Sequence, residues 1–342
     1  MRALIGAVLS GAFLILPANS WKPDLTPEVQ AALNLISTDS LRADVTYLAS
    51  DELEGRNTPS PGLDKAADYI AERFKEGGVA PGVQTSYFQE TTWRNTDTKV
   101  RNVIGVLPGT DPLLKDTYVI LSAHYDHVGV NPRAEGDQIF NGANDDASGT
   151  AGVVEIARAF AKAGLKPKRT IVFALWYGEE KGLVGSRYYG DNPVFPINKT
   201  VALVNLEMIG RTDDVEGEKL KSATMTGFDY SEVPLAMSEA GKALGIEYWK
   251  HEQNSDSFFG RSDNRALALK GVPAHALSTT FVYPDYHKAG DHADKLDYEN
   301  MTAVTKAIAL GIWTLANSDK APEWNAENPN TERYRAARAG GG

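Results

Sequence analysis

The chain of 342 residues contains no cysteine, so neither disulfides nor thiolate metal sites are available to it. Any metal ion must therefore be held by histidine nitrogens and carboxylate oxygens. Basic residues are not in excess either. The formal net charge is −10, and no basic patch stands out before the C-terminal end. This balance argues against a nucleic-acid partner. Hydrophobic residues make up 42% of the chain and charged residues 23%, which is typical of an ordinary globular protein.

One apolar run lies near the N-terminus, from Ala3 to Leu16, between Arg2 and the small residues that precede Trp21. This order predicts a signal peptide over residues 1–20 that is cleaved before Trp21. A transmembrane anchor is the alternative, but the run is shorter than the roughly 20 apolar residues that span a bilayer. We therefore expect an exported protein, periplasmic or secreted, without membrane attachment after cleavage.

From Val100 onward, short β-rich runs alternate with amphipathic helical patterns. The predicted strands are 102–107, 118–124, 170–176, 201–207, 222–226 and 274–278, and the predicted helices are 148–163, 183–190, 233–244 and 298–317. This alternation predicts an α/β fold with a mostly parallel central sheet flanked by helices on both faces. Residues 21–98 are predicted to be mainly helical. Without repeats or a long linker, we expect a single domain over 21–319 and a flexible tail over 320–342.

Two of the predicted strands lead directly into candidate site residues. His124 and Asp126 lie two apart at the end of 118–124, so their side chains point to the same face. His124 can bind a metal, and Asp126 can accept the other ring N–H of a ligating histidine. A buried histidine satisfied by a nearby acid is the alternative.

Glu179 and Glu180 follow 170–176. Because adjacent side chains diverge, one can hold a metal while the other acts as a base.

Further candidate ligands lie on other segments. Asp145 and Asp146 stand between glycines in front of a predicted helix, where simple helix capping is the alternative. In the company of the other acids and histidines, we interpret Asp145 as a carboxylate shared by two metals. Glu207 ends the strand 201–207. His287 lies in a polar loop. This pattern is absent from the other histidines, which are His127, His251, His275 and His292. Of these, His275 lies in an apolar strand and is predicted to be structural.

The ordered motifs H-x-D, N-D-D-x-S-G, G-E-E, N-L-E-M and Y-H-x-x-x-D resemble those of the M28 family of metallopeptidases. These are zinc aminopeptidases with a co-catalytic two-metal site. The stretches 48–56 and 260–263 resemble the family as well. The resemblance implies that His124, Asp145 and Glu207 hold one zinc. It implies that Asp145, Glu180 and His287 hold the other. Cobalt or manganese can replace zinc in mixed histidine and carboxylate sites.

The resemblance also implies roles around the metals. Glu179 corresponds to the general base, Asp126 to the partner of a ligating histidine, and Tyr286 to a tyrosine that polarises the substrate carbonyl. The Asp145–Asp146 peptide bond is often cis in the family. This chain departs from the family in two places, because Glu207 stands where many members have aspartate and Asn264 where a histidine is common.

The expected activity is hydrolysis of the N-terminal bond of peptides or proteins, with a metal-bridged water that gives its proton to Glu179. A single-zinc glutaminyl cyclase-like acyltransferase is one alternative, although His124 beside Asp126 favours a second metal. A carboxypeptidase is another and would need a cationic pocket. The third is a non-catalytic binding protein, which should have lost ligands or the base. The five ligand positions all carry competent residues here, so we favour the enzyme.

Overall fold

The computed structural model describes residues 21–94, 96–214 and 217–340. The signal peptide predicted for residues 1–20 lies outside this part of the chain. Of the helices in the described ranges, not one is both long enough and apolar enough to cross a membrane.

The helices frame the sheet and were largely anticipated from side-chain periodicity. They are α1 Pro27–Leu35, α2 Thr38–Leu48, α3 Pro61–Gly77, α4 Gly149–Lys162, α5 Val184–Asp191, α6 Val233–Ala243, α7 Asn254–Ser257, α8 Asn264–Ala268, α9 Tyr298–Asn317 and α10 Glu332–Gly340. Side chains cap several N-termini. For example, the Ser60 hydroxyl accepts from the Leu63 N–H at 3.1 Å at the start of α3. Each capped start fixes where the buried stripe of the helix begins.

Strands are short at the edges and long in the centre. They are β1 Ala80–Pro81, β2 Phe88–Thr92, β3 Lys99–Leu107, β4 Tyr118–His124, β5 Gly129–Val130, β6 Ile139–Phe140, β7 Thr170–Trp176, β8 Thr200–Leu206, β9 Asp213–Asp214, β10 Gly217–Glu218, β11 Ser222–Met225, β12 Glu247–Trp249 and β13 Ala274–Ser278. Among the described residues, nine of them form one sheet in the order β1-β3-β7-β4-β8-β13-β11-β12, with β2 beside β3. The pairs β5/β6 and β9/β10 form separate small ribbons.

The α/β single-domain prediction is confirmed, and the sheet is mixed rather than purely parallel. Its centre, β7-β4-β8-β13, is parallel throughout. Antiparallel pairs lie toward the edges, where β3 meets β7 and β11 meets β13. Because the central strands are parallel, the carboxyl ends of β4, β7 and β8 meet at one edge of the sheet.

Alternate residues of the central strands enter two separate hydrophobic cores. Val119 and Leu121 of β4 pack into the larger core, whereas Ile120 between them packs into the smaller one. All three side chains are fully buried. Burial on both faces explains why these strands are continuous apolar runs in the sequence.

The C-terminal segment, expected to be a flexible tail over 320–342, is packed in its described part, which ends at residue 340. Trp324 is 8% exposed and Tyr334, on α10, is 1% exposed. Their rings stack with centroids 5.0 Å apart, and both rings contact Phe259. We call Phe259, His275, Trp324 and Tyr334 the aromatic cluster. Two large rings thus anchor a segment whose composition is otherwise polar.

Candidate metal centre

Five segments bring the predicted ligands together at one edge of the sheet. His124 is the last residue of β4, and Glu180 and Glu207 lie in the loops that follow β7 and β8. Asp145 lies in an irregular turn, 143–148, that leads into α4, and its peptide bond to Asp146 is cis. His287 comes from the loop before α9 and has a left-handed φ of 52°. The structure therefore gathers all five predicted ligand residues.

One group of ligand atoms lies around His287. Its Nε2 atom is 3.0 Å from Asp145 Oδ2 and 3.0 Å from Glu180 Oε1. A residue that the sequence analysis set aside joins them, because His127 Nδ1 lies 3.0 Å from Glu180 Oε1 and 3.8 Å from Asp145 Oδ2. These four residues each offer one ligand atom, all within 4.8 Å of one another.

A second group lies around His124. Its Nε2 atom is 3.3 Å from Asp145 Oδ1 and 3.5 Å from Glu207 Oε2. Asp146 also brings a carboxylate oxygen within 4.8 Å of His124 and Glu207. Asp145 thus directs one oxygen to each group, as expected for a carboxylate shared by two metals.

Orphaned polar atoms indicate that these groups suit metal ions. His127 Nδ1, Asp145 Oδ2, Glu180 Oε1 and His287 Nε2 are all buried, and none has a hydrogen-bond partner within the described part of the chain. Buried polar atoms without partners are costly. Imidazole nitrogens and carboxylate oxygens that converge in this way form a donor set that suits zinc. The residues therefore fit such an ion, and bound zinc would polarise a substrate carbonyl and acidify a water.

Two residues hold Glu207 in place. Its Oε1 accepts hydrogen bonds from Asn205 Nδ2 at 3.0 Å and from the Ser262 hydroxyl. This leaves Oε2 free to face His124. The longer glutamate, where many family members have aspartate, is thus fixed by partners from β8 and from the loop before α8.

Asp126 acts through both its main chain and its side chain. His124 Nδ1 lies 3.1 Å from the main-chain carbonyl of Asp126 and 3.6 Å from the carboxylate. The carboxylate accepts from the Thr58 hydroxyl at 3.1 Å and from the Glu179 N–H at 3.0 Å. It is therefore the carbonyl that orients the histidine ring, while the carboxylate positions the Glu179 backbone.

Arg56 holds the loops beneath the centre and was missed by the sequence analysis. The side chain is completely buried and donates to four main-chain carbonyls, those of Leu48, Tyr125, Asn141 and Gly142. Burial lowers the pKa of Arg56 to about 10, against the opposing effect of Asp126 and Asp145. In the sequence it lies in a charged, turn-rich stretch that is typical of solvated loops, and the resemblance of 48–56 to the family gave Arg56 itself no role.

Asp291 anchors the turn that carries Asp145 from the other side. Its carboxylate accepts from the N–H groups of Asn144 and Asp145 at 3.0–3.1 Å and from the Tyr283 hydroxyl at 2.9 Å. The motif Y-H-x-x-x-D contained this residue, but its spacing assigned it no role. Asp291 and Arg56 together fix both sides of the turn that carries Asp145.

The electrostatics of the centre are those of a site short of positive charge. Burial raises the pKa of Glu179 and of Asp146 well above the usual range, and His124 only partly opposes this. Burial alone would lower the pKa of His287, but Asp145 and Glu180 outweigh it and raise the pKa to about 10. Closely spaced carboxylates attract cations, whether protons or metal ions.

A cavity of about 300 Å³ opens onto the centre. It is lined by the candidate ligands His124, Asp145, Glu207 and His287, together with Glu179. Its apolar wall is formed by Met208, Phe258, Ala276, Phe281 and Val282. Arg261 also lines it and lies over the Phe258 ring, 4.3 Å from the centroid. The space can accept one amino-acid side chain beside the candidate base.

Tyr286 and Asn264 have different relations to this cavity. Tyr286 lines it, is 41% exposed, and stacks on His287 with ring centroids 4.0 Å apart. Asn264 is buried and donates to the carbonyls of Phe259 and Ala274. The residue that replaces a common family histidine therefore has a structural role.

The remaining histidines behave differently from one another. The Nδ1 of His275 lies 2.8 Å from the Thr226 carbonyl and its Nε2 lies 2.6 Å from the Ser231 hydroxyl, in line with the predicted structural role. His127 is the exception among those set aside. A second histidine three residues after His124 was the available signal in the sequence. Strand alternation places Asp126, and not His127, on the same face as His124.

The family model of peptidase family M28 matches residues 102–312 of the chain. A probable zinc metalloprotease of Pyrenophora teres f. teres (strain 0-1) is 27% identical over 325 residues, which cover 86% of this chain and 68% of the relative. The candidate ligands, from His124 to His287, all lie within the matched range.

Solved structures share the fold. The aminopeptidase LapA of Legionella pneumophila superposes with a TM-score of 0.70 at 21% identity, over 94% of this chain and 81% of that one. A glutaminyl cyclase of Porphyromonas gingivalis gives a TM-score of 0.59 at 18% identity, over 82% of this chain and 98% of that one. At these identities the likeness concerns the fold, which serves more than one reaction.

Proposed function

The chain belongs to peptidase family M28, and on that premise we propose that it is a two-zinc aminopeptidase. His124, Asp145 and Glu207 hold one ion in this proposal, and Asp145, Glu180 and His287 hold the other. The observation that carries the proposal is the cavity, because it is lined by Glu179, by an apolar wall and by four of these five residues: His124, Asp145, Glu207 and His287. We also propose that the protein is exported, as the N-terminal sequence predicts.

Glu179 is the proposed general base. It takes a proton from the attacking water and returns it to the leaving amine. Its burial raises its pKa, which brings the proton affinity of the carboxylate closer to that needed near neutral pH. The Glu179 N–H bond to Asp126 positions the backbone from which the carboxylate projects. Tyr286, at the rim of the cavity, is proposed to donate to the oxyanion that develops on the substrate carbonyl.

The pocket supports a preference for apolar N-terminal side chains. Phe258, Phe281 and Val282 supply its apolar wall, and burial of an apolar side chain there contributes about 25 cal/mol per Å². The volume of about 300 Å³ is at the small end for ligand pockets, which suits a single terminal residue.

The test pairs a metal count with a substrate panel. We expect two zinc ions per chain and hydrolysis of leucine p-nitroanilide, with none of its N-acetylated form. One zinc, with no hydrolysis and with cyclisation of N-terminal glutamine, would favour the cyclase. Cleavage of N-acetylated peptides at a free C-terminus would favour a carboxypeptidase that uses Arg261 as its cation.

Glu179→Gln is the sharpest variant for this proposal. We expect kcat to fall by about 10²–10⁴-fold, because general-base catalysis contributes about that much, while the zinc count stays the same. The exposed Glu135→Gln serves as control and should keep full activity. Retained activity in Glu179→Gln would remove Glu179 from the role of base.

A further inference from the structure

His127 is a completely buried histidine for which neither ring nitrogen has a hydrogen-bond partner among the described residues. Its own main-chain N–H bonds to the Arg56 carbonyl at 3.3 Å, which turns the chain back after β4 and directs the ring toward the metal centre. A buried imidazole without partners costs free energy, so the fold must gain something from keeping it there.

The ring is held tightly in place. Gly142, at φ +61°, packs against it so closely that a Cβ on residue 142 would lie 2.4 Å from His127 Cγ. The His287 ring meets it edge-on, with centroids 5.6 Å apart. The orientation of His127 is thus fixed by backbone on one side and by a proposed metal ligand on the other.

The distances around His127 lie on either side of those in a tetrahedral ion site. With zinc bonds of about 2.0–2.1 Å, neighbouring ligand atoms in a tetrahedron lie about 3.3–3.4 Å apart. Here Nδ1 of His127 lies 3.0 Å from Glu180 Oε1 and 3.8 Å from Asp145 Oδ2. The contacts of His287 with the same two oxygens are both 3.0 Å. None of these four atoms is engaged in a hydrogen bond with the described residues.

We propose that His127 is a fourth protein ligand of the ion held by Asp145, Glu180 and His287. This inference rests on the two-metal site proposed above. A site with four protein ligands is closed, as structural zinc sites are, whereas a catalytic site keeps an open position. The ion beside His127 is then the tightly held one, and the ion of the His124 group is the one that offers its open position to water and substrate.

The test is metal retention, which does not depend on turnover. Purified wild-type protein is dialysed against a chelator and its zinc is followed over time. We expect biphasic loss, with one ion leaving early and one retained. In His127→Asn, the affinity for the retained ion should fall at least about 100-fold, since even partners outside the ligand shell are worth 10–100-fold in affinity. His124→Asn should lose the early ion and keep the retained one.

His292→Asn is the matched control, since this half-exposed histidine faces Asp137 rather than the proposed ligand groups. It should release zinc as the wild type does. Equal zinc release from His127→Asn and wild type would overturn the inference and leave the aminopeptidase proposal intact. Wild-type protein that binds no zinc would overturn both.

A second measurement covers the case in which His127→Asn does not fold. X-ray absorption of the wild-type one-zinc form counts the imidazoles on the retained ion. Two imidazoles, from His127 and His287, are expected. A single imidazole would overturn the role of His127.

Discussion

His127 and His275 are both completely buried, but they occupy opposite kinds of surroundings. At the metal centre, both nitrogens of His127 lack hydrogen-bond partners within the described residues. In the aromatic cluster, both nitrogens of His275 are satisfied by Thr226 and Ser231. Burial alone therefore does not distinguish a ligand from a structural histidine. The state of its polar atoms does, because evolution of a stable core removes unsatisfied groups unless something else binds them.

The pKa values follow the same division. Burial lowers the pKa of His275 to about 4, so its ring is neutral over the physiological range. At the metal centre, carboxylates outweigh burial and raise the pKa of His287 to about 10. The aromatic cluster is built to exclude charge, whereas the centre concentrates negative charge for a cation. Changes in the first region should alter stability alone, and changes in the second should alter metal binding.

Arg56→Met should have the largest effect, because it should change stability and metal binding together. Arg56 supports the metal centre from within the core. Four main-chain carbonyls lose their donor, two of them just before the turn that carries Asp145. We expect a loss of about 4 kcal/mol in unfolding free energy, together with loss of zinc. Urea denaturation and a zinc count measure the two effects.

The exposed Arg133→Met is the control for Arg56→Met and should change neither quantity. An Arg56→Met protein with normal zinc content and wild-type stability would show that the carbonyls are satisfied without the guanidinium.

Trp324→Ala should separate the two regions. Its indole donates to the Gly271 carbonyl at 2.9 Å and stacks on Tyr334. Removing it should cost about 3 kcal/mol of unfolding free energy, with the zinc count unchanged. Tyr334→Phe keeps the ring and loses only the hydrogen bond that its hydroxyl accepts from Arg333, so it should cost about 1 kcal/mol. Zinc loss from folded Trp324→Ala would mean that the aromatic cluster also supports the centre.

The pH dependence of stability should show the smallest effect. Unfolded His275 takes up a proton near pH 6.5, whereas folded His275 resists protonation until about pH 4. The unfolded state therefore binds more protons in this window, and the stability due to neutral His275 is lost as pH falls from 6.5 toward 4. From pH 7 to pH 5 the loss should be about 2 kcal/mol.

His275→Gln isolates this contribution, because all other titrating groups are shared with the wild type. The difference in unfolding free energy between the two proteins should shrink by about that 2 kcal/mol between pH 7 and pH 5. A constant difference across that range would show that His275 does not titrate on unfolding in this window.

Much of the fold was predictable because burial on both faces of the central sheet gives continuous apolar runs. The strands 118–124, 170–176 and 274–278 were predicted with the bounds that β4, β7 and β13 have. The polar C-terminal segment was not, since its order depends on two rings, Trp324 and Tyr334, that find a distant aromatic partner. Composition contains no information about such long-range contacts.

The same limit applies to the centre. Four of the five predicted ligands end or follow a strand or precede a helix, so local pattern locates them, whereas His287 lies in a polar loop and was located by the motif Y-H-x-x-x-D. His127 and Arg56 owe their positions to loops that fold back on one another, as the main-chain bond between them shows. His127 lies only three residues after a predicted ligand, and Arg56 lies in a charged loop. In the sequence both look like solvent-exposed side chains, because their burial depends on how the loops pack.

The order of the ligands along the chain has a consequence for biosynthesis. His124, Asp145, Glu180 and Glu207 leave the ribosome in sequence, but His287, which contacts both Asp145 and Glu180, follows the last strand of the sheet. A nascent or prematurely terminated chain that ends before this residue carries the acids without the ring that joins them. Whatever catalysis the centre performs is thus confined to chains that have been synthesised at least as far as His287.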